Sequence, residues 1–244
     1  MKRLFLLGFA CFVLAPAAAL ADDKSNDKQV EWEILFDGTN LDAFDLTSVK
    51  DAWVITDKGE LHAPSGSPTI YTKQRYTDFV LELDFRMKPK AQANSGVFLR
   101  VHDKEDEVQT GMEVQILDNP EYDVPFDASN ACGALYGLVH PKVDANKPVG
   151  DWNHYRIVVD GSKVIVELND VEVVRADLSK FSKWAKAGRN SGAEPSTFAY
   201  VREGFIGLQN YGPTVWFRNI KLQRLSARKP KYTGDEPIDQ VLGQ

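Results

Sequence analysis

The sequence predicts an all-β protein: a jelly-roll sandwich of two antiparallel sheets, with one short helical or irregular insertion near residues 178–198. Three observations carry this reading. Many short runs alternate apolar and polar residues with a period of two. Clusters of turn residues separate those runs, and no strand–helix–strand alternation appears. About a dozen strands favour an open two-sheet sandwich over a closed barrel.

The elements follow in chain order. Lys2 and Arg3 precede an apolar run from Leu4 to Ala15, and Ala19-Leu20-Ala21 supplies a small-x-small site, so residues 1–21 read as a signal peptide cleaved after Ala21. The run is shorter than the ~20 apolar residues of a membrane helix. No later stretch approaches that length, so the expected protein is exported, periplasmic or extracellular, with no transmembrane segment. Residues 22–29 are polar and read as a flexible leader. The fold is expected over 30–225, followed by a polar, Pro-punctuated tail over 226–244.

Within the fold the clearest strand is Asp78 to Lys88. Phe79, Leu81, Leu83, Phe85 and Met87 point one way, and Glu82, Asp84, Arg86 and Lys88 the other. Val97 to Val101, Met112 to Leu117, Phe205 to Gln209, Thr214 to Phe217 and Ile220 to Leu225 behave similarly. Turns at Asp160-Gly161 and Asn169-Asp170 join Arg156–Val159, Val164–Leu168 and Val171–Arg175 into a meander. Leu178 to Ala187 is the one helical candidate. It leads through Gly188–Gly192 and back at Phe198, as a surface ornament or a lid.

Composition narrows the function. The formal charge is −6 and no block of Lys or Arg is present, which excludes a nucleic-acid footprint. Without the signal segment one cysteine remains, Cys132, so no intramolecular disulfide is available. A mildly acidic, aromatic-rich exported chain suits a neutral polar ligand such as a sugar.

Strand alternation in Met112–Leu117 sets Glu113 and Gln115 side by side on one face, a carboxylate next to an amide. Arg100, on a neighbouring alternating run, is expected on the same face, where it would orient or compensate Glu113. The competing reading is a solvated strand face with an ordinary salt bridge. Trp152-Asn153-His154-Tyr155 and Gly207 to Gly212 add aromatic and amide groups at strand ends. Their tryptophans also suit core packing, and their Asn and Gly suit turns. His62, His102, His140 and His154 lack zinc-site spacing. His140, ahead of Pro141 in a Gly- and Tyr-rich stretch, is the one to test as ligand or acid. There is no G-x-S-x-G, and Cys132 has no local activating signal.

Several motifs, in order, resemble one family. Ile34-Leu35-Phe36-Asp37-Gly38-Thr39-Asn40-Leu41, Trp53, Tyr76-Thr77-Asp78-Phe79, Asn94-Ser95-Gly96-Val97-Phe98-Leu99-Arg100 and Glu113 to Asp118 begin the series. Gly133-Ala134-Leu135-Tyr136-Gly137, Lys147 to Asn153, Leu168-Asn169, Ile206-Gly207-Leu208-Gln209 and Trp216-Phe217-Arg218-Asn219-Ile220 complete it. Over about residues 31 to 225 the chain resembles the concanavalin A-like domains described as 3-keto-disaccharide hydrolases, 3-keto-glucoside 1,2-lyases and 3-keto-2-hydroxyglucal hydratases. Many members carry Asp-His-Gly after the Leu-Gln. This chain has Asn210-Tyr211-Gly212, so no histidine role is carried over there.

The resemblance implies action on 3-keto-glycosides. A ketone at C3 acidifies the C2 proton, a carboxylate removes it, and the group on C1 leaves without oxocarbenium chemistry. On that basis Glu113 is the base or a metal ligand, and Arg100 and Gln115 hold the keto sugar. Asp118, Tyr136, His140, Asn153 and Gln209 complete the pocket, and the set leaves room for a divalent cation. A non-catalytic carbohydrate-binding module fits the same fold. A retaining glycosidase fits less well: it needs two carboxylates ~5 Å apart, and Gln115 puts an amide where the second would stand.

Overall fold

The computed structural model describes residues 31–49, 51–64, 67–181, 203–212 and 214–225. The expected signal peptide (1–21), leader (22–29) and tail (226–244) lie outside the described residues, as does the expected insertion beyond Phe181. Leu178–Phe181, where that insertion begins, is a 3₁₀ turn. No helix among the described residues is long and apolar enough to cross a membrane.

Period-two patterning builds the first sheet. In β6 (Phe79–Met87) the side chains of Phe79, Leu81, Leu83, Phe85 and Met87 are buried, and Glu82, Asp84 and Arg86 between them are partly exposed. On one side β6 pairs with β9 (Trp152–Asp160), followed by β10 (Lys163–Leu168) and β11 (Val171–Asp177). On the other it pairs with β13 (Val215–Arg224), whose far edge takes β4 (Leu61–His62) at one end and β1 (Glu33–Phe36) at the other. β3 (Val54–Ile55) then pairs with β4. The expected β9–β10–β11 meander is present. Asn169 and Asp170 both take left-handed conformations, φ 52° and 66°, which a two-residue hairpin turn with the twist of its strands requires.

The second sheet runs β2 (Phe44–Asp45), β5 (Ile70–Thr72), β12 (Phe205–Leu208), β7 (Asn94–Val101), β8 (Met112–Leu117), antiparallel throughout. Ile70, Val97, Leu99, Val114, Ile116, Ile206 and Leu208 share one core with Leu81, Leu83, Phe85, Tyr155, Ile157 and Phe217 of the first sheet. Each such side chain contributes about 1.5–3 kcal/mol by leaving water. The fold is thus the all-β, two-sheet jelly-roll sandwich that the alternation predicts.

One irregularity changes the fate of a predicted site residue. Gly207 pairs with Phe98 and Phe205 with Val101, so β7 carries one more residue than β12 between the two pairs. Arg100 sits in this bulge at φ 53°, and a one-residue slip exchanges the faces of a strand. Phe98 and Val101 therefore share the outer face with Tyr71 and Phe205. Arg100 instead turns toward the first sheet. Its Nε donates to Thr77 O, Nη1 to Gly161 O and Nη2 to Asp78 Oδ1, each at 2.7 Å. Asp78 Oδ1 also accepts from the Gly161 N–H at 2.8 Å. At 1% exposure, Arg100 is an inter-sheet clamp and not the partner of Glu113 that the sequence suggested.

A second link crosses the core. The Tyr155 hydroxyl of β9 donates to Gln115 O of β8 at 2.6 Å, and Cys132 Sγ lies 3.5 Å from the same hydroxyl. Burial pushes the Cys132 thiol up to about 11.

The outer face of the first sheet is a charged ladder. Lys221 and Arg156 pair with Glu82, and Asp84 accepts from His154, Arg218 and Asn219 at 2.8–3.1 Å. Arg86 lies 5.0 Å from the rings of both Trp152 and Trp216 and pairs with Glu60. The hydrogen bond to Asp84 raises the pKa of His154. Burial pushes Asp84 upward, but hydrogen bonds from His154, Asn219 and Arg218 outweigh it and hold the carboxyl below its usual range.

Two outcomes are expected. Removing one partner of a buried ion pair leaves the other uncompensated, so Arg100→Met should cost about 3–5 kcal/mol, read as a lower denaturant midpoint. The His154 contribution is complete below about pH 6.5 and is lost as pH rises through its raised folded value, whereas that of Asp84 is lost only in acid. The thermal midpoint should therefore fall as pH rises above about 6.5, and His154→Gln should flatten that slope.

Candidate functional site

The outer face of the second sheet differs from that of the first: it is largely buried and carries few charges. Strand register sets two rows across it. In one, Glu113 of β8 lies opposite Phe98 of β7, which lies opposite Gly207 of β12, then Tyr71 of β5 and Asp45 of β2. In the other, Gln115 lies opposite Gly96, whose carbonyl accepts the Gln209 N–H at 2.9 Å. Alternation with the core residues Ile206 and Leu208 turns Gln209 to this face.

Beyond β8 the chain returns as a further extended edge. Leu135 bridges Val114, and the Tyr136 N–H donates to Glu113 O at 2.9 Å. Leu135 and Val114 both point into the core, so Tyr136 stands beside Glu113 on the outer side, where it is exposed.

The opposite end of the face is closed. The connection from β7 to β8 contains α1 (Glu107–Thr110) and folds back over the sheet. Glu107 accepts from the hydroxyls of Tyr71 and Thr69, and Lys104 pairs with Asp45 at 2.9 Å while its Nζ sits 4.2 Å from the Phe205 ring centroid. Burial, and then the hydrogen bond to Glu107, push the Tyr71 hydroxyl far upward. The bond from Lys104, ahead of that from Thr47, holds Asp45 far below the carboxylate range. This end is one ion pair and a carboxylate held by two hydroxyls, over an apolar patch.

The open part is floored by glycine. A Cβ at Gly96 would lie 2.1 Å from Glu113 Oε1 and 2.8 Å from its Cδ, so the carboxylate rests directly over the β7 backbone. Gln115 Nε2 donates to Asn94 Oδ1 at 3.1 Å, next along β7. Glu113 and Gln115 are only 6% and 4% exposed, which removes the reading of a solvated strand face. A carboxylate shielded from water and set among amides can act as a base or accept hydroxyl donors.

The structure brings Glu113, Gln115, Gln209 and Tyr136 together. It does not bring Arg100, as shown above, nor three others. Asn153 belongs to β9 of the other sheet and is 1% exposed; its Oδ1 accepts from Lys147 N–H and Asn169 Nδ2, pinning a loop. Asp118 Oδ1 accepts the Glu121 N–H at 3.4 Å, just ahead of the 3₁₀ turn Pro120–Tyr122. His140 is exposed, with Nδ1 3.0 Å from Pro141 O, on the span that reaches β11 through the Lys142 N–H to Val173 O. Sequence reasoning missed Asn94 and Gly96 as site residues. Both lie in phase with Phe98 along one strand, but their place beside Gln115 depends on a pairing that alternation does not reveal. Among the described residues no group of three or more His, Cys, Asp or Glu side chains converges to hold a metal.

Residues 31–223 match the family described as the 3-keto-alpha-glucoside-1,2-lyase-like domain. The chain belongs to this family. It is 29% identical over 234 residues to a 3-keto-disaccharide hydrolase of Bacteroides thetaiotaomicron, a match covering 78% of this chain and 77% of that protein. Among solved structures it resembles a Parabacteroides distasonis protein assigned provisionally to the glycosyl hydrolases, at 34% identity and TM-score 0.67, covering 80% of this chain and 100% of the other. A second such protein from that organism, at 22% identity, shares the fold with TM-score 0.68 over 80% and 94% of the two chains. Where many family members carry a histidine after the Leu-Gln, Asn210 Oδ1 here accepts the Gly212 N–H at 3.3 Å, and Tyr211 between them is 71% exposed.

Gly96→Ala tests the floor directly. The atoms it would strike are the end of a side chain, so the fold should persist while the carboxylate moves. A displacement of about 1 Å costs on the order of 100-fold in rate. The expected outcome is a thermal midpoint close to wild type, a displaced Glu113 in a crystal structure, and a loss of that order in whatever reaction Glu113 serves.

Proposed function

We propose that this chain cleaves 3-keto-glycosides by elimination, and that addition of water then completes a net hydrolysis. Glu113 is the general base. Its carboxylate takes the C2 proton, made acidic by the C3 ketone; the C2–H electron pair forms the C1=C2 bond, and the C1–O bond breaks with its electrons going to the departing oxygen, which takes up a proton. Returning OH to C1 and H to C2 across that double bond gives the free 3-keto sugar. The charge that develops on the C3 oxygen calls for preorganised donors, and the amides of Gln115, Asn94 and Gln209 are the groups at hand. Tyr136, opposite Glu113 at the open edge, lines the side from which the leaving group departs.

The single observation that carries this reading is Glu113 itself, 6% exposed over Gly96 and flanked by an amide where a retaining glycosidase would need a second acid. Family membership over residues 31–223 supports the substrate class. Lys2-Arg3, the apolar run and Ala19-Leu20-Ala21 support action outside the cytoplasm.

The test is aglycone release from a chromogenic 3-keto-glucoside beside the ordinary glucoside, with and without chelator. Release from the keto compound alone is expected. Glu113→Gln should slow it by about 10²–10⁴-fold, the usual contribution of a positioned base. Undiminished turnover by Glu113→Gln would remove Glu113 from the mechanism. Sugar binding without release from either compound would leave a carbohydrate-binding module.

A further inference from the structure

Met87 ends β6 and Leu117 ends β8, and between them the sandwich opens into a cavity of about 320 Å³. Pro120 and Val149 complete its apolar wall, and Asn119, Asp144, Asn146 and Lys147 supply its polar groups. A second hollow of about 310 Å³ shares Asn119, Pro120 and Asp144 with the first and ends at Phe126, which is 41% exposed.

Two amides give these chambers a defined polarity. Asn119 is 7% exposed, and its Oδ1 accepts the Cys132 N–H at 2.9 Å. An N–H can be received only by the oxygen, which fixes the orientation of the amide and leaves Nδ2 without a partner among the described residues. Asn146 is fixed the opposite way. Its Nδ2 donates to Asp144 Oδ1 at 2.8 Å, and its Oδ1 is shielded from water with no partner. One unpartnered donor and one shielded acceptor thus line a single cavity, and leaving the shielded acceptor unpaired is unfavourable. The loop that carries Asn146 is held rigid: Lys147 N–H reaches Asn153 Oδ1 at 2.9 Å, and Ala145 O accepts from Asn169 Nδ2 at 2.8 Å.

We infer that this cavity is a second binding site, for a neutral sugar ring. A hydroxyl both accepts and donates, so one or two adjacent hydroxyls satisfy Asn119 Nδ2 and Asn146 Oδ1 together. Asp144 takes a further hydroxyl donor, and the apolar wall takes the C–H face of the ring, the usual composition of a small-molecule pocket. A divalent cation of the calcium type wants 6–8 oxygens; the cavity offers Asp144 and Asn146 Oδ1 with Lys147 beside them. An anion would meet Asp144. The site is independent of the chemistry proposed for Glu113. Leu117, opposite Asn94 at the end of β8, is four residues and ~13 Å along the strand from Glu113.

The experiment titrates the full chain carrying Glu113→Gln with glucose and with maltose while amide chemical shifts are followed. Shifts centred on 117–126 and 144–149 are expected. Asn146→Leu and Val149→Trp, the first removing the acceptor and the second filling the cavity, should each weaken binding at least ~10-fold with the thermal midpoint held. The same two variants on the otherwise wild-type chain should leave aglycone release intact, which separates this site from the proposed reaction. The inference fails if these amides do not move, if both variants bind as well as their parent, or if calcium or inorganic phosphate moves them and sugar does not.

Discussion

The Tyr155 hydroxyl reaches across the core to the carbonyl of Gln115, which also accepts the Gly133 N–H at 2.9 Å. This junction holds β8 from behind and from its outer edge at once. β8 is where register matters most. A slip of one residue would carry Glu113 and Gln115 into the core and bring Val114 and Ile116 to the surface. A carboxylate buried without compensation and two aliphatic side chains lost from the core would both be unfavourable, so pattern and cross-core bond enforce the same answer. The amide row, the glycine floor and the position of Tyr136 all follow from that one register.

The two sheets use their outer faces differently, and the difference lies in composition. β6, β9 and β13 place mostly charged residues at the outward positions near the middle of the first sheet, so that face stays wet and is held by ion pairs. On the second sheet the outward positions around Glu113 and Gln115 include Gly96, Phe98, Gly207 and Tyr71. Small and aromatic residues allow the β7–β8 connection to lie down on the face. They leave a shielded floor only where glycine keeps the backbone low. A sheet with a charged outer face cannot host a dry carboxylate. The second sheet can.

Much of this was legible in the sequence, for identifiable reasons. Alternation gave the faces of β6 and the pairing of Glu113 with Gln115, because side-chain direction in a strand has a fixed period. The Asn169-Asp170 turn gave the meander, because few residues accept two successive left-handed conformations. Arg100 was misread because its bulge rests on a positive φ at an arginine, and no local residue preference signals that. Asn153 was misread because a strand-end asparagine looks the same in either sheet. Which sheet a strand joins is a long-range property, as is the reach of Glu107 over β5. The seven-residue spacing that separates Asn146 from Asn153 likewise says nothing of the loop that one anchors for the other.

Cys132 shows what burial does to reactivity. It is 2% exposed, its thiol pKa is pushed up to about 11 by burial, and the Tyr155 hydroxyl lies 3.5 Å from its sulfur. Disulfide exchange and alkylation proceed through the thiolate, and at neutral pH this sulfur offers almost none, behind a wall of packed side chains. In air or in an oxidising compartment the described domain is therefore silent in redox terms. It requires no reductant during handling and gives a partner thiol nothing to attack, so covalent cross-linking through this residue would report unfolding.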